Sequence, residues 1–410
     1  MNSSASSGTC EVLVIGAGPA GSACAQRLAQ AGFDVLLADQ HAFPRDKVCG
    51  DALIPDAHRA LEALGLLDAV LARARSASHI GCVGPGGGRV EVPGRLAVLP
   101  RRELDEILRR SALAAGAGWM QARFEAPLLD AAQRVVGASF RRPDGGVQAV
   151  DARWTVLATG AAAGPLDAAG LCSRRMPSGI ALRGYVRHEA MAGRIRGLDI
   201  VWHRALRGGY GWIFPGAGGV FNIGVGLAHG HRGGEHAAVP DANLRELFES
   251  FVHVHTAARE LMADGAALGP LKGAPLRCSL EGAHWSRDGL LAAGEAIGST
   301  YLFTGEGIGK ALETGMLAAR ALVDGRAAGD DDAALRARHE AALAALKPRF
   351  LAYQQANRIN NHPWLSDLLV WRARRDARVL RRLQGVLDET DDPAGLVSAG
   401  GILRLMLGMG

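Results

Sequence analysis

Lysine is scarce in this chain of 410 residues, and only four of the 46 basic residues are lysine. The four are Lys47, Lys272, Lys310 and Lys347. The net charge of +5 and the pI of about 9.0 therefore come almost entirely from arginine, which is scattered along the sequence. No basic stripe with interleaved aromatic residues occurs, although that pattern is typical of nucleic-acid-binding surfaces. We therefore read the charge as a bias of composition and predict no nucleic-acid partner.

The chain also lacks the cysteine spacing of a metal or redox centre. None of the six cysteines forms a C-x-x-C pair, so neither a zinc site nor a redox dithiol is indicated. We read them as reduced thiols of a cytoplasmic protein. His229, His231 and His236 share a glycine-rich loop, which we interpret as polar and exposed rather than as a metal site. The sequence therefore predicts no metal.

Long apolar runs are absent as well. No stretch of 18 apolar residues occurs, so we expect no membrane-spanning helix. The first residues have no apolar signal core, and we predict a disordered tail over residues 1–9. The apolar segment 394–410 leaves two interpretations, docking on the body of the protein or contact with the inner face of a membrane, and we favour docking. The sequence does not indicate an oligomeric state.

The most informative stretch of the sequence is 11–39. An apolar run at 12–15 precedes Gly16, Gly18 and Gly21, which have G-x-G-x-x-G spacing, and a helical pattern follows them. A second apolar run then ends at Asp39. In this unit the glycines allow a tight turn, the approach of a pyrophosphate and close packing of helix on strand, while the acid binds ribose hydroxyls. The pattern predicts a dinucleotide site, with a glycine-rich turn that binds nothing as the alternative.

A second glycine-rich junction between a strand and a helix lies nearly 300 residues later. A strand-like run at 289–293 precedes Glu295, and Gly307 and Ile308 open a helix. We expect the free N–H groups of these two residues to face an anionic ring edge. A loop at 45–51 carries arginine, lysine, cysteine and aspartate, and it lies close enough in sequence to reach a cofactor.

Between these junctions the pattern changes to strands without helices. Runs at 180–186, 198–203, 210–214 and 220–225 predict an antiparallel sheet. Its large side chains suggest a wall for a flat or apolar substrate, with an ordinary sheet core as the alternative. These side chains are Tyr185, Trp202, Tyr210, Trp212, Phe214 and Phe221.

These motifs resemble those of the flavoprotein family that contains geranylgeranyl reductases and menaquinone polyprenyl reductases. The matching segments, in order, are 16–21, the loop 45–51, the Y-x-W-x-F-P element at 210–215, and 294–298 with 305–308. The chain departs from the family pattern at Arg207 and Glu295, where proline and aspartate are usual, and in the loop 301–303, which lacks the usual proline.

The resemblance implies an α/β (α+β) fold of the glutathione-reductase type. An FAD-binding Rossmann domain would cover 10–175 and 275–330, an antiparallel-sheet substrate domain 176–274, and a helical region 331–410. The implied FAD-binding residues are Gly16, Gly18, Ala20, Gly21, Asp39, Gln40, Arg45, Gly50, Arg101, Glu295, Gly307 and Ile308. Cys49, Tyr210 and Trp212 are the catalytic candidates.

The chemistry that we expect is reduction of a carbon–carbon double bond in a prenyl or similar hydrophobic substrate. Reduced flavin supplies the hydride, and Cys49 or Tyr210 supplies or relays the proton. NAD(P)H and reduced ferredoxin both remain open as electron donor, since no second dinucleotide unit is visible.

Two other functions compete with this prediction. The first is a flavin-dependent monooxygenase or halogenase. The segment 210–215 lacks the halogenase pattern W-x-W-x-I-P, and 161–165 lacks the Asp-Gly of aromatic hydroxylases. The second is a flavin-binding protein without turnover, which would need neither a thiol in the loop 45–51 nor an aromatic sheet.

Overall fold

The structure, a computed structural model, describes residues 8–228 and 243–407. The predicted exposed loop with His229, His231 and His236 lies outside the described residues, as do residues 1–7 of the predicted tail. Residues 8 and 9 do not belong to a tail, because they extend the first strand and pair with Val150 and Asp151.

The chain forms two sheets and a series of helices. The strands are β1 (Gly8–Ile15), β2 (Val35–Asp39), β3 (Ala52–Leu53), β4 (Arg75–Val83), β5 (Arg89–Val98), β6 (Gly118–Gln121), β7 (Arg123–Leu129), β8 (Val135–Arg141), β9 (Val147–Leu157), β10 (Gly179–Arg187), β11 (Leu198–Val201), β12 (Gly209–Pro215), β13 (Val220–Ala228), β14 (Ala266–Ala267), β15 (Lys272–Leu276), β16 (Ser286–Arg287) and β17 (Leu290–Ala292). The α-helices are α1 (Pro19–Gln30), α2 (Pro55–Ala63), α3 (Leu67–Leu71), α4 (Arg101–Ala114), α5 (Ala163–Ala168), α6 (Leu244–Val254), α7 (Thr256–Asp264), α8 (Ile308–Ala328), α9 (Asp332–Ala356), α10 (Arg358–Asn361), α11 (Trp364–Ala373), α12 (Ala377–Leu387), α13 (Ala394–Val397) and α14 (Ala399–Leu407).

The first sheet has the strand order β16-β17-β9-β1-β2-β6, with β8 and then β7 added beside β9. Strands β17, β9, β1, β2 and β6 are parallel to one another. Strand β1 pairs with β2 on one side and with β9 on its other side, so the strand order reverses at β1. In an open α/β sheet, a ligand crevice forms at such a switch point, beyond the carboxyl ends of the strands. Both predicted glycine junctions lie at this edge.

Small residues allow the helices to pack closely behind this edge. Helix α1 begins at Pro19, and its residue Ala20 contacts Gly294 and Gly315 so closely that a Cβ on either glycine would overlap Ala20. A Cβ on Gly21 would overlap the carbonyl oxygen of Gly16. The third glycine of the motif therefore serves the packing of helix on strand.

The second sheet has the order β14-β10-β13-β12-β11-β4-β5-β3, with β15 also beside β10. The four predicted runs form β10, β11, β12 and β13, which pair antiparallel where they are neighbours. The predicted bounds of 176–274 are too narrow for this sheet, because β3, β4 and β5 come from residues 52–98. They join it through the parallel pairing of β4 with β11, in which Ile80 faces Leu198. Such a long-range pairing leaves no local signal in the sequence.

The C-terminal helices cover the second sheet. Helix α12 packs against β5, where Leu380, Leu383 and Leu387 join a buried cluster that contains Trp212 and Phe214. Helix α14 places Leu405 in the core but leaves Leu403, Met406 and Leu407 exposed. Within the described residues, no helix is long and apolar enough to cross a membrane.

Candidate active site

A cavity of about 520 Å³ lies between the carboxyl edge of the first sheet, the second sheet and the C-terminal helices. Every predicted site residue except Gly21 lines it. The cavity therefore brings together motifs from four distant parts of the sequence, and its volume is ordinary for a ligand site.

The first glycine turn forms an anion site. Gly16 has a φ of +103°, and a Cβ there would overlap the carbonyl of Ala158. A Cβ atom placed on Gly18 would lie 3.6 Å from a guanidinium nitrogen of Arg45 and 3.9 Å from one of Arg101. Two cations thus flank the N-terminus of α1, which itself favours negative charge. The arrangement fits a pyrophosphate.

Asp105 fixes both guanidinium groups. Its carboxylate accepts two hydrogen bonds from Arg101, at 2.7 Å and 2.8 Å, and lies 3.1 Å from Arg45. Burial alone would lower the pKa of Arg101, but the Asp105 carboxylate outweighs it and raises that pKa. Arg45 Nε is buried and has no hydrogen-bond partner within the described chain, so an acceptor is missing at this point of the cavity wall.

Asp39 ends β2 beside the turn. Its Oδ2 atom accepts a hydrogen bond from the backbone N–H of Ala17 at 2.9 Å, while Oδ1 faces His41. Gln40, His41 and Arg123 line the same end of the cavity. Asp39 lies where the motif requires an acid for ribose hydroxyls.

The second glycine junction lines the same cavity through Gly305, Gly307 and Ile308. Gly307 is the N-cap of α8 and has no side chain to cap it, so the first N–H groups of the helix are available to a ligand. Glu295 lies 4.0 Å from Lys47, and both line the cavity. Together, the two junctions and the guanidinium pair fit an extended dinucleotide.

Cys49 is held by a buried network that the sequence did not predict. The Asn222 side-chain amide donates to the Cys49 carbonyl and to Asp51, each at 2.8 Å. Asn222 accepts from Trp212 Nε1 at 2.9 Å, and Tyr185 donates to Asp51 at 2.5 Å. Burial raises the pKa of Asp51 to about 6, although these hydrogen bonds oppose the shift.

The loop is also pressed against the aromatic sheet. A Cβ on Gly50 would lie 2.9 Å from the Phe214 ring, so only glycine fits here without a shift. Asp51 has a φ of 67°, a left-handed conformation that aspartate adopts more readily than most residues. The Cys49 side chain is partly buried, and desolvation raises the pKa of its thiol, so it retains its proton at neutral pH.

Tyr210 and Trp212 lie on one face of β12 with Phe214, as the two-residue period of a strand requires. The Tyr210 hydroxyl donates to the Thr304 carbonyl at 2.5 Å, and burial raises its pKa. Trp212 is engaged through its ring N–H with Asn222. The catalytic roles of Tyr210 and Trp212 stay predictions. Through these hydrogen bonds both side chains hold the wall of the cavity in place.

The predicted aromatic wall is partly wrong. Trp202, Tyr210, Trp212 and Phe214 line the cavity, but Tyr185 and Phe221 do not. Phe221 is fully buried in the core on the other side of the sheet, against Ile213 and Phe251. Tyr185 points to Asp51.

The cavity continues beyond Cys49 as an apolar limb. The sequence did not predict the side of this limb that the C-terminal helices form. Strand residues form one side, and residues of the C-terminal helices form the other. The helix residues are Ile359, Leu369, Val370, Leu383, Val386, Leu387 and Leu396. Their apolar spacing predicts buried helices but does not distinguish a core from a cavity wall. Two acids that line the cavity, Asp56 and Glu306, were also missed.

Comparison with known proteins agrees with this geometry. Residues 9–180 match the family model of an FAD binding domain. The chain is 33% identical over 347 residues to the menaquinone reductase of Mycolicibacterium smegmatis, covering 77% of this chain and 76% of that protein. It is 31% identical over 337 residues to digeranylgeranylglycerophospholipid reductase 1 of Methanopyrus kandleri, covering 80% and 84% of the two chains.

Solved structures share the fold. A geranylgeranyl bacteriochlorophyll reductase-like protein from Thermoplasma acidophilum superposes with a TM-score of 0.71 at 20% identity, covering 98% of this chain and 96% of its own. A flavin-dependent brominase gives a TM-score of 0.72 at 18% identity, with 98% of each chain covered. At these identities the likeness concerns the fold alone.

The FAD-binding domain and the similarity to the two reductases together define an FAD-dependent oxidoreductase. Within that class, the chain belongs to the family of geranylgeranyl and menaquinone reductases. The predicted fold class, cofactor FAD and enzyme class are thereby confirmed.

Proposed function

We propose that this enzyme saturates carbon–carbon double bonds in a prenyl chain or a similar hydrophobic substrate. The observation that carries the proposal is the continuity of the cavity. The space that meets the glycine junctions at Gly16 and Gly307 passes Cys49 and continues into the apolar limb. The names of the relatives, which act on menaquinone and on geranylgeranyl lipids, support the same substrate class.

FAD would be held by the residues that surround the cavity's polar end. Arg45 and Arg101 with the start of α1 would bind the pyrophosphate, and Asp39 would bind the ribose. Gly307 and Ile308 would donate backbone hydrogen bonds to the pyrimidine edge of the ring system. In its reduced form the bound cofactor supplies a hydride.

Saturation of one double bond adds one hydride and one proton, so the substrate gains two hydrogens and no net charge. We infer that Cys49 donates the proton, because its thiol has a raised pKa, stays protonated at neutral pH and lines the cavity. The hydrogen bond from Asn222 to the Cys49 carbonyl fixes the loop that carries the thiol. Tyr210 is the second candidate donor. The apolar limb excludes water and orients the chain.

Product analysis tests this activity. The FAD-loaded enzyme, reduced without oxygen, would be incubated with a geranylgeranyl lipid or a polyprenyl quinone and the product weighed by mass spectrometry. A gain of two hydrogens per turnover supports the proposal. Recovery of unchanged substrate from both compounds contradicts it.

We further infer that NAD(P)H or a reduced ferredoxin supplies the electrons. Each donor would be mixed separately with the oxidised enzyme, and the loss of flavin absorbance would identify the one that is used. Reduction by neither donor would refute this part of the proposal.

A hydrophobic substrate that resides in a bilayer also requires an entry route, and we propose that α11 and α14 meet a membrane surface. Helix α11 lines the cavity with Leu369 on one side and exposes Trp364 and Trp371 elsewhere, seven residues apart and so on one face. Arginines beside Trp371 suit anionic headgroups.

Vesicles of phosphatidylglycerol and phosphatidylcholine test this contact. We expect the double variant W364S/W371S to sediment less with them than the parent protein. The matched control is L129S, which removes an exposed leucine from β7. Equal sedimentation of all three proteins would exclude the proposed face.

A further inference from the structure

Helix α12 ends at the wall of the apolar limb, where its last residues Val386 and Leu387 line the cavity. The chain leaves the helix through a Schellman motif. In this motif the N–H of Thr390 donates to the Gly385 carbonyl at 2.8 Å, and the N–H of Glu389 donates to the Val386 carbonyl at 3.2 Å. The backbone of the motif therefore fixes the direction in which the Glu389 side chain leaves the helix.

Glutamate is an unusual residue at this point of the motif. Glu389 has a φ of 61°, which is the left-handed conformation that glycine adopts without strain. Glycine is also the residue that usually occupies this position at the end of a helix. Ending α12 therefore does not require glutamate, and the contacts of its carboxylate give another reason for the residue.

The Glu389 carboxylate is almost fully buried, and four groups converge on it. Its Oε1 atom accepts a hydrogen bond from the Tyr301 hydroxyl at 2.6 Å and lies 2.9 Å from the Lys310 ammonium. Its Oε2 atom lies 2.6 Å from Arg59 and 3.3 Å from Arg349. Burial alone would raise the pKa of Glu389, but Lys310 and the hydrogen bond from Tyr301 outweigh it and lower that pKa. The carboxylate is therefore ionised at neutral pH and bound from α2, α8 and α9.

Two stacked tyrosines hold the same end of α12. The rings of Tyr301 and Tyr353 lie 3.8 Å apart between centroids, with an angle of 8° between their planes. The Tyr353 hydroxyl donates to the Val386 carbonyl at 2.8 Å, while the Tyr301 hydroxyl donates to Glu389. The stacked pair thus binds one backbone group and one side chain at the end of the helix.

Lys310 connects this helix end with the cofactor end of the cavity. It lies in the first turn of α8, two residues after Ile308, which lines the cavity together with Gly307. A shift of α12 relative to α8 would separate Lys310 from Glu389 in a buried site, where an unpaired charge is costly. The pair therefore fixes the wall of the apolar limb relative to the second glycine junction.

We propose that Glu389 is a positioning residue for the substrate. By tying the end of α12 to the first turn of α8, it sets where the apolar wall stands relative to the cofactor end of the cavity. It thereby decides which double bond of a prenyl chain is presented for reduction, an inference that rests on the proposed function. Glu389 does not line the cavity and acts through Val386 and Leu387, which do.

Two substitutions separate this role from that of ending the helix. In E389Q the cations Lys310, Arg59 and Arg349 face a neutral group and repel one another, so the end of α12 should move. E389G also removes the carboxylate, but it supplies the residue that the Schellman motif prefers. The matched control is E106Q, which changes a largely buried carboxylate of α4 that is paired with Arg109 at 2.9 Å and does not line the cavity.

Binding of geranylgeraniol to the oxidised, FAD-loaded protein tests the position of the wall without turnover. The change in flavin absorbance on titration gives the dissociation constant. We expect it to rise at least about tenfold in E389Q and E389G and to stay within about twofold of the parent value in E106Q. Equal affinity in all three variants overturns the proposal. This readout also stands if no prenyl compound is reduced and the proposed function fails.

The structure of the product tests the choice of double bond. Fragmentation in a mass spectrometer locates the saturated bond, and we expect its position to shift in E389Q and E389G but not in E106Q. A residue that only stabilised the fold would change the amount of product and leave the position unaltered. An unaltered position in both Glu389 variants overturns the proposed selection.

A further variant covers the case in which the Glu389 variants do not fold. Y353F keeps the stacked ring and removes only the hydroxyl that binds the Val386 carbonyl. We expect weaker binding of geranylgeraniol than in the parent protein, by about threefold or more. Binding equal to that of the parent would overturn the proposal.

Discussion

Asn222 on β13 holds the backbone carbonyl of Cys49 at 2.8 Å, although 173 residues separate them in sequence. The same amide group donates to Asp51 and accepts from Trp212. An element of the second sheet thereby fixes the loop that carries the thiol against the cofactor domain. The position of Cys49 depends on both sheets.

The first prediction concerns this bond. N222L should lower turnover while FAD remains bound, because the Cys49 loop loses its anchor. It should also lower the free energy of unfolding by about 1–3 kcal/mol, since buried partners of Asn222 are left unsatisfied. Urea unfolding and product formation measure the two effects.

The control for this variant is N243A. It removes the N-cap of α6, which costs about 1 kcal/mol, but it lies outside the cavity lining. If N243A lost as much turnover as N222L, the lower turnover of N222L would be explained by reduced stability alone.

The second prediction concerns the thiol itself. C49A should keep its FAD absorbance and lose turnover by about two orders of magnitude or more, as expected for removal of a positioned proton donor. C10A, which changes a cysteine of β1 that does not line the cavity, is the matched control. Unchanged turnover in C49A would remove Cys49 from the mechanism.

The third prediction tests the contact of the loop with the sheet. In G50A the new methyl group would meet the Phe214 ring, so the loop should shift and turnover should fall. Adding F214L removes the ring and should restore part of the activity, because the two sites are coupled. G193A, where a Cβ meets open space, should leave turnover unchanged. Additive losses in G50A/F214L would argue against the contact.

How far the sequence predicted this site depends on the range of the contacts. The sequence predicted that Tyr210, Trp212 and Phe214 belong to one aromatic wall, and the glycine spacing predicted a dinucleotide site at the turn after β1. Asn222 carried only a weak signal, a polar residue within an apolar strand, and nothing local indicated its partner. The helical wall of the limb depends on how α11 and α12 pack across β5, which no motif encodes.

The fourth prediction concerns acid stability. His339 is fully buried, with Nε2 at 2.9 Å from the Ala292 carbonyl, and burial lowers its pKa from 6.5 to about 4. The unfolded chain therefore binds a proton below pH 6.5 that the folded protein does not. Stability should fall as the pH drops from about 6.5 to about 4, by on the order of 1–3 kcal/mol for this residue.

Urea midpoints at about pH 7 and about pH 5 measure this loss. H339L should show a smaller difference between the two midpoints than the parent protein. H362Q, which changes an exposed histidine, should show the same difference as the parent. Equal differences in all three proteins would mean that His339 does not contribute to acid sensitivity.

The central claim is that hydride from the bound cofactor reaches a prenyl double bond in the apolar limb. The most direct test is rapid mixing of the enzyme, reduced without oxygen, with either a geranylgeranyl or polyprenyl-quinone substrate or air, while the flavin spectrum is recorded. We predict prompt return of the oxidised flavin spectrum with the prenyl substrate, and a slower return in C49A. Reoxidation by air alone, with no response to either prenyl compound, would contradict the account and favour oxygen-dependent chemistry on the same fold.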